Sequence, residues 1–155
     1  MKFEIPASLQ REHDELRDFL HRAAQQPGDL GAAALFLQRV LEPHLRREEA
    51  FAFPPLGLLA GLAKGRLSPE MAEVFAKTEW LEQNLPGMLA EHRVITAALK
   101  ELLHAAWQAD QAGYGEYAGF AEKLYYHQRI EEEVTYPAAI LAGEYLKLRL
   151  AATVE

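Results

Sequence analysis

Apolar residues recur along this chain at helical spacing, and stretches that alternate like a strand are nearly absent. A first stripe reads Leu9, His13, Leu16, Leu20, in a helix predicted from Ser8, a suitable N-cap, to about residue 24. Gln25-Gln26-Pro27-Gly28 ends it. A second helix, from just after Asp29 to about residue 50, carries Leu37, Val40, Leu41, His44 and Glu48 on one side, and Pro54-Pro55 closes that region. Ser68-Pro69 predicts the start of an accessory helix reaching about residue 84. Pro86 then opens a third main helix with the stripe Leu85, Met88, His92, Ile95, Leu99, Leu102. After Gly113-Tyr114-Gly115, a fourth carries Tyr117, Phe120, Leu124, His127 and Glu131. Pro137 halts it, and a short C-terminal helix over 138–151 follows. Four long amphipathic helices predict an all-α antiparallel bundle, with the accessory helix between the second and third main helices. No linker of disordered composition divides residues 1–155, so one domain is expected.

The stripes are not purely apolar. Each main helix has a histidine where its pattern asks for leucine, and in two of them a glutamate follows four residues on: His44 with Glu48, His127 with Glu131. That spacing stacks the two side chains on one helix face, about 6 Å apart along the axis. A single such pair is explained by a helix-stabilising i,i+4 contact of about 0.2–0.5 kcal/mol. Four interrupted stripes are another matter, because unpaired imidazoles and carboxylates are costly to bury. Two divalent cations would compensate, since imidazole suits iron and a carboxylate can bridge two metals. The expected metal ligands are His13, His44, Glu48, His92, His127 and Glu131.

Composition narrows the alternatives. A net charge of -7 with no basic stripe argues against nucleic acid as a partner. The chain has no cysteine, which removes disulfides, thiolate metal sites, iron–sulfur clusters and cysteine nucleophiles. The most apolar region, near residues 51–63, is broken by Pro54, Pro55, Gly57 and Gly61 and is too short to span a bilayer. No basic-then-apolar leader is evident at the start, and a cytoplasmic location is expected by default.

The two halves repeat one another. Glu12-His13 matches Glu91-His92, and His44-Leu-Arg-Arg-Glu48-Glu49 with Phe53-Pro54 matches His127-Gln-Arg-Ile-Glu131-Glu132 with Tyr136-Pro137. On these residues the chain resembles the hemerythrin-like, or HHE cation-binding, family over nearly its whole length. The resemblance implies an up-down-up-down bundle holding a non-haem, oxo- or hydroxo-bridged pair of iron ions. His13, His44, His92 and His127 would be terminal ligands and Glu48 and Glu131 bridging ones; manganese or zinc would also suit this donor set. Oxygen-carrying hemerythrins have a second histidine one turn from the first on the third helix. Here Met88 and Thr96 occupy those places, which puts reversible oxygen carriage in doubt.

The expected function is a di-iron protein that binds or senses a small diatomic ligand, dioxygen or nitric oxide, or handles iron. The alternatives are an oxidase or peroxidase-like enzyme using open coordination positions and a metal-free helical scaffold. A ferritin-like site is disfavoured because no Glu-x-x-His occurs. Glu12, Glu49, Glu91 and Glu132 are expected to stand beside the ligands or in solvent rather than to ligate. His21 and His104 fall about 80° and 120° around their helices and are expected at the surface. Tyr125, Tyr126 and Tyr136 could hydrogen-bond near the site, but aromatic packing is the simpler reading; Glu79 and Glu82 are remote candidates for an extra ligand. Residues 56–84 have no counterpart in the other half and are open to capping the site or forming a homodimer contact.

Overall fold

A computed structural model describes residues 3–152, and every element among them is helical. Helices α1 (Ala7–Ala23) and α2 (Gly28–Arg47) are followed by a π-helical turn (Glu48–Ala52) and two one-turn helices, α3 (Phe53–Leu56) and α4 (Leu59–Leu62). A 3-10 turn (Pro69–Val74) leads into α5 (Phe75–Ala109), then α6 (Tyr114–Ile130), a second π-helical turn (Glu131–Thr135) and α7 (Tyr136–Ala151). The architecture is that of a helical bundle. Gly28, at φ +67°, supplies the left-handed residue that lets the chain reverse between α1 and α2.

The directions of the long helices can be read from paired residues. Arg17 meets Glu42 while His13 meets Glu49 across α1 and the second segment. Phe19 stacks on Phe120 while His127 meets Glu12 across α1 and α6. Thr96 donates to Gln128 and His92 reaches Glu132 across α5 and the fourth segment. In each case one number rises as the other falls.

The expected accessory helix is a correction. Residues 69–74 form only a 3-10 turn, and residues 75–84 belong to the third long helix, which runs unbroken through Pro86. Proline cannot donate to the Glu82 carbonyl, but Pro86 and Glu82 are both exposed and water can satisfy that oxygen. Burial on both sides of the proline holds the helix together: Leu81 and Met88 lie in one apolar cluster. Pro43 is likewise accommodated within α2 on an exposed position.

The core has a polar layer across it. One large cluster joins Leu16, Leu20, Leu37, Leu41, Leu45, Ile95, Leu99, Leu102, Phe120 and Leu124. A second joins Ala52, Phe53, Leu56, Leu81, Met88, Tyr136 and Ala139. Along the chain His13 falls between Leu9 and Leu16, Glu48 between Leu45 and Ala52, His92 between Met88 and Ile95, and His127 and Glu131 between Leu124 and Tyr136, so the polar side chains sit between two apolar blocks. A third cluster, around Leu62, Met71, Val74 and Leu146, pins residues 58–74 against α7.

The close approach of α5 and α7 depends on Gly143, where an added Cβ would lie 2.3 Å from Thr78 Oγ1 and 2.7 Å from Thr78 Cβ. Gly143→Ala should therefore destabilise the fold by about 1–3 kcal/mol through overpacking, read as a lower urea midpoint; an unchanged midpoint would mean these helices have slack.

Candidate metal centre

The six side chains expected to ligate metal converge in the polar layer, none more than 4% exposed. His13 comes from α1, His44 from α2, His92 from α5 and His127 from α6. Glu48 and Glu131 each begin a π-helical turn. In both turns the backbone N–H five residues on, from Phe53 or Tyr136, closes onto the glutamate's own carbonyl. The proline that follows each aromatic has no N–H to continue the ordinary ladder. Pro54 thereby deprives the Ala50 carbonyl of a donor, and Lys77 Nζ supplies one at 2.9 Å.

The side chains form two groups whose candidate ligand atoms lie within 4.8 Å of one another: His13, Glu48, His127, Glu131, and His44, Glu48, His92, Glu131. Both glutamates belong to both groups. Their oxygens divide accordingly: Glu48 Oε2 is 3.2 Å from His13 Nε2, and Oε1 is 3.3 Å from His44 Nε2. Glu131 Oε1 contacts His127 Nε2, while Oε2 is 3.1 Å from His92 Nε2. One carboxylate oxygen per group is what a bridge between two cations requires.

The imidazoles are aimed from outside. Nδ1 of His13 donates to Glu49 (2.9 Å), that of His44 to Glu91 (2.6 Å), that of His92 to Glu132 (2.8 Å) and that of His127 meets Glu12 (3.1 Å). An ionised carboxylate only accepts, so each Nδ1 carries a proton and each Nε2 points inward, open to a cation or, in its absence, to a second proton. Glu49 is held in turn by Arg17 at 2.6 Å and Glu91 by Arg47 at 2.5 Å. The four carboxylates repeat under the pseudo-twofold: Glu12 and Glu91 reach across to the other half, while Glu49 and Glu132 serve their own. These four were expected beside the ligands or in solvent, and all four touch an imidazole.

The residues fit a cation. His13 Nε2, His127 Nε2, Glu48 Oε2 and both Glu131 oxygens are buried without a hydrogen-bond partner, although each has an opposite-type atom nearby. Atoms this close that fail hydrogen-bond geometry share a focus rather than a proton. Five orphaned polar atoms in one buried layer are otherwise hard to reconcile with a stable core. Without a cation, protons take over its task. Burial lowers the His44 pKa, but the charge of Glu48, with Glu131, outweighs it and pushes it up to about 10. For His127 burial again opposes, and Glu12 and Glu131 push it up to about 10. Glu131 is raised by burial, yet the surrounding imidazoles, His127 foremost, hold it well below the usual carboxylate range.

For one residue at the centre the structure favours the hydrogen-bonding alternative over simple packing. Tyr136 is fully buried, and its hydroxyl donates to Glu48 Oε1 while standing 3.4 Å from His44 Nε2 and 3.3 Å from His92 Nε2. Burial, then the charges of Glu48 and Glu131, raise its pKa, so in the absence of a cation it is a neutral phenol. The available signal was the matching position of Phe53 and Tyr136 after the two His-x-x-x-Glu blocks, which puts both rings at the same depth. Tyr125 and Tyr126 are exposed. So are His21 and His104. Glu79 pairs with Lys147, away from the centre, and Glu82 is exposed.

No helix among the described residues is long and apolar enough to cross a membrane. Comparison with curated proteins and with solved structures gave no match. The family model described as the hemerythrin HHE cation binding domain matches residues 5–139. That span contains every side chain of the candidate centre, and the chain belongs to this family.

Proposed function

We propose that this protein is an up-down-up-down bundle that holds two iron ions through His13, His44, Glu48, His92, His127 and Glu131, and binds or senses dioxygen or nitric oxide, or handles iron. One observation carries the reading: two buried groups of four residues share both glutamates, with one oxygen of each directed to each group. A single cation or an internal hydrogen-bond network would not call for that division.

A bound iron pair supplies redox change and open positions for a small ligand. The protein's own residues do the rest. Glu49, Glu91, Glu132 and Glu12 hold the imidazole tautomers, and the two carboxylates offset cation charge. The apolar blocks on either side keep bulk water out. Beside His127 and Glu131 lies a cavity of about 20 Å³ walled by Leu9, Phe53 and Ile130, room for about one water-sized molecule. A second reading, an oxidase or peroxidase-like enzyme, is favoured by the Tyr136 hydroxyl, a donor facing the centre.

Loading with ferrous iron under nitrogen and then admitting air should give about two irons per chain and near-ultraviolet oxo-to-iron absorption. Reversal on deoxygenation supports a carrier or sensor, and turnover of peroxide supports the enzyme. His44→Ala and His127→Ala should each lose at least one metal, and full occupancy in both variants would sink the ligand assignment. Glu91→Gln, which leaves every ligand in place, should weaken metal affinity about 10–100-fold; equilibrium dialysis against a chelator measures it, and unchanged affinity would make Glu91 incidental.

The proton-filled site sets a pH dependence for the metal-free protein. His44 and His127 gain proton affinity on folding, so their contribution is complete below the ordinary histidine value of about 6.5 and disappears as pH rises through about 10. The melting temperature of chelator-treated protein should fall across that window, while the metal-loaded protein should lack this fall. A flat profile for the metal-free form would show that the imidazoles are neutral there.

A further inference from the structure

The two candidate cation positions are not equivalent, and the difference lies in one pseudo-symmetric pair of residues. Phe53 and Tyr136 each follow a His-x-x-x-Glu block by the same spacing and each closes a π-helical turn. Phe53 stands beside His13, ring centroids 4.7 Å apart, and brings no donor atom. Tyr136 lies by His92, ring centroids 5.9 Å apart, and brings a hydroxyl into the group of His44, Glu48, His92 and Glu131.

The hydroxyl's position relative to its neighbours is informative. Metal–nitrogen and metal–oxygen bonds of about 2.1 Å at right angles put adjacent donors about 3.0 Å apart and opposite donors about 4.2 Å apart. In this group His44 Nε2 and His92 Nε2 are 3.0 Å apart, and His92 Nε2 and Glu131 Oε2 are 3.1 Å apart. His44 Nε2 and Glu48 Oε1 are 3.3 Å apart, and His44 Nε2 and Glu131 Oε2 are 4.0 Å apart. The Tyr136 oxygen, at 3.4 and 3.3 Å from the two imidazole nitrogens, falls near the range of adjacent donors to two of the four others, and it also donates a hydrogen bond to a third, Glu48. Those two contacts are better understood as neighbouring corners of one coordination sphere.

We propose that Tyr136 is a seventh protein ligand, completing the cation position formed by His44, His92, Glu48 and Glu131. This inference rests on the metal-binding reading above. The opposite position, at His13 and His127, has Phe53 in the corresponding place and the small cavity beside it, and is therefore where an exogenous ligand enters. Ligation forms an oxygen–metal bond and breaks the O–H bond; the proton passes to solvent and no electron is transferred. Without a cation the phenol keeps its proton and donates to Glu48, whereas a ferric ion at bonding distance favours the phenolate as it does other anionic ligands.

The test uses the full chain, loaded with ferrous iron and oxidised, and reads visible absorption with resonance Raman excited in the visible band. Wild type should show a phenolate-to-ferric charge-transfer band with tyrosinate ring vibrations. Tyr136→Phe, which keeps the buried ring, should lose both while retaining iron. Azide added to either protein should perturb the near-ultraviolet bands, because its proposed position does not involve Tyr136. Iron-loaded wild type without the tyrosinate signature, or a signature surviving in Tyr136→Phe, overturns the assignment even though iron binds. Wild type that takes up no iron overturns the underlying metal reading, and this inference with it. If Tyr136→Phe fails to fold, the wild-type Raman spectrum alone still decides.

Discussion

The organisation of this protein depends on the cost of a buried polar layer. Four imidazoles and two carboxylates occupy the middle of a core that is apolar above and below, and none of them reaches water. Desolvated groups of this kind persist only when each is paired and oriented. The solution here is concentric. An outer set of four partly exposed glutamates takes the Nδ1 protons, two arginines hold Glu49 and Glu91, and the inner lone pairs are left facing each other. Lone pairs facing lone pairs repel, so protons must sit among them unless a cation does.

That requirement reaches into the backbone. A regular α-helix through Glu48 or Glu131 would meet a proline six residues later with its ladder intact. Instead each glutamate opens a π-helical turn, and the aromatic that closes it is carried to the level of the centre. Such turns are less favourable than α-helix and cluster at functional sites. Their appearance at the two related positions ties the irregularity to the centre rather than to local sequence accident. Lys77, from the start of α5, donates to the carbonyl that Pro54 leaves without a partner, so the long third helix has a part in holding the second segment's distortion.

The pseudo-twofold organises the chain but is imperfect where chemistry enters. Histidines, bridging-type glutamates and outer carboxylates all repeat, whereas Phe53 and Tyr136 do not. A symmetric scaffold with one differing pair sets two groups, each of two histidines and the same two glutamates, in different surroundings, one beside the Tyr136 hydroxyl, the other beside Phe53 and a small cavity. Groups of like composition in unlike surroundings need not behave alike, a use for internal duplication that strict symmetry could not offer.

The helices, the stripe positions of the histidines and the His-x-x-x-Glu pairs were legible in the sequence because they follow from a single periodicity, and the structure brings all six side chains together as that periodicity implied. The internal repeat likewise gave the pairing of the halves. Three things needed the tertiary structure. Pro86 looks like a helix start in sequence, yet packing of Leu81 and Met88 in one cluster carries the helix through it, since one lost hydrogen bond on an exposed face costs less than a separated helix would. Which carboxylate holds which imidazole was invisible, because these contacts join residues 36 to 47 positions apart or, for Glu12 and His127, opposite ends of the chain. The place of Tyr136 was hidden for a related reason: its direction is set by a π-helical turn that adds a residue to the repeat, so a helical wheel assigns the ring to packing, and only the folded backbone turns its hydroxyl onto the centre.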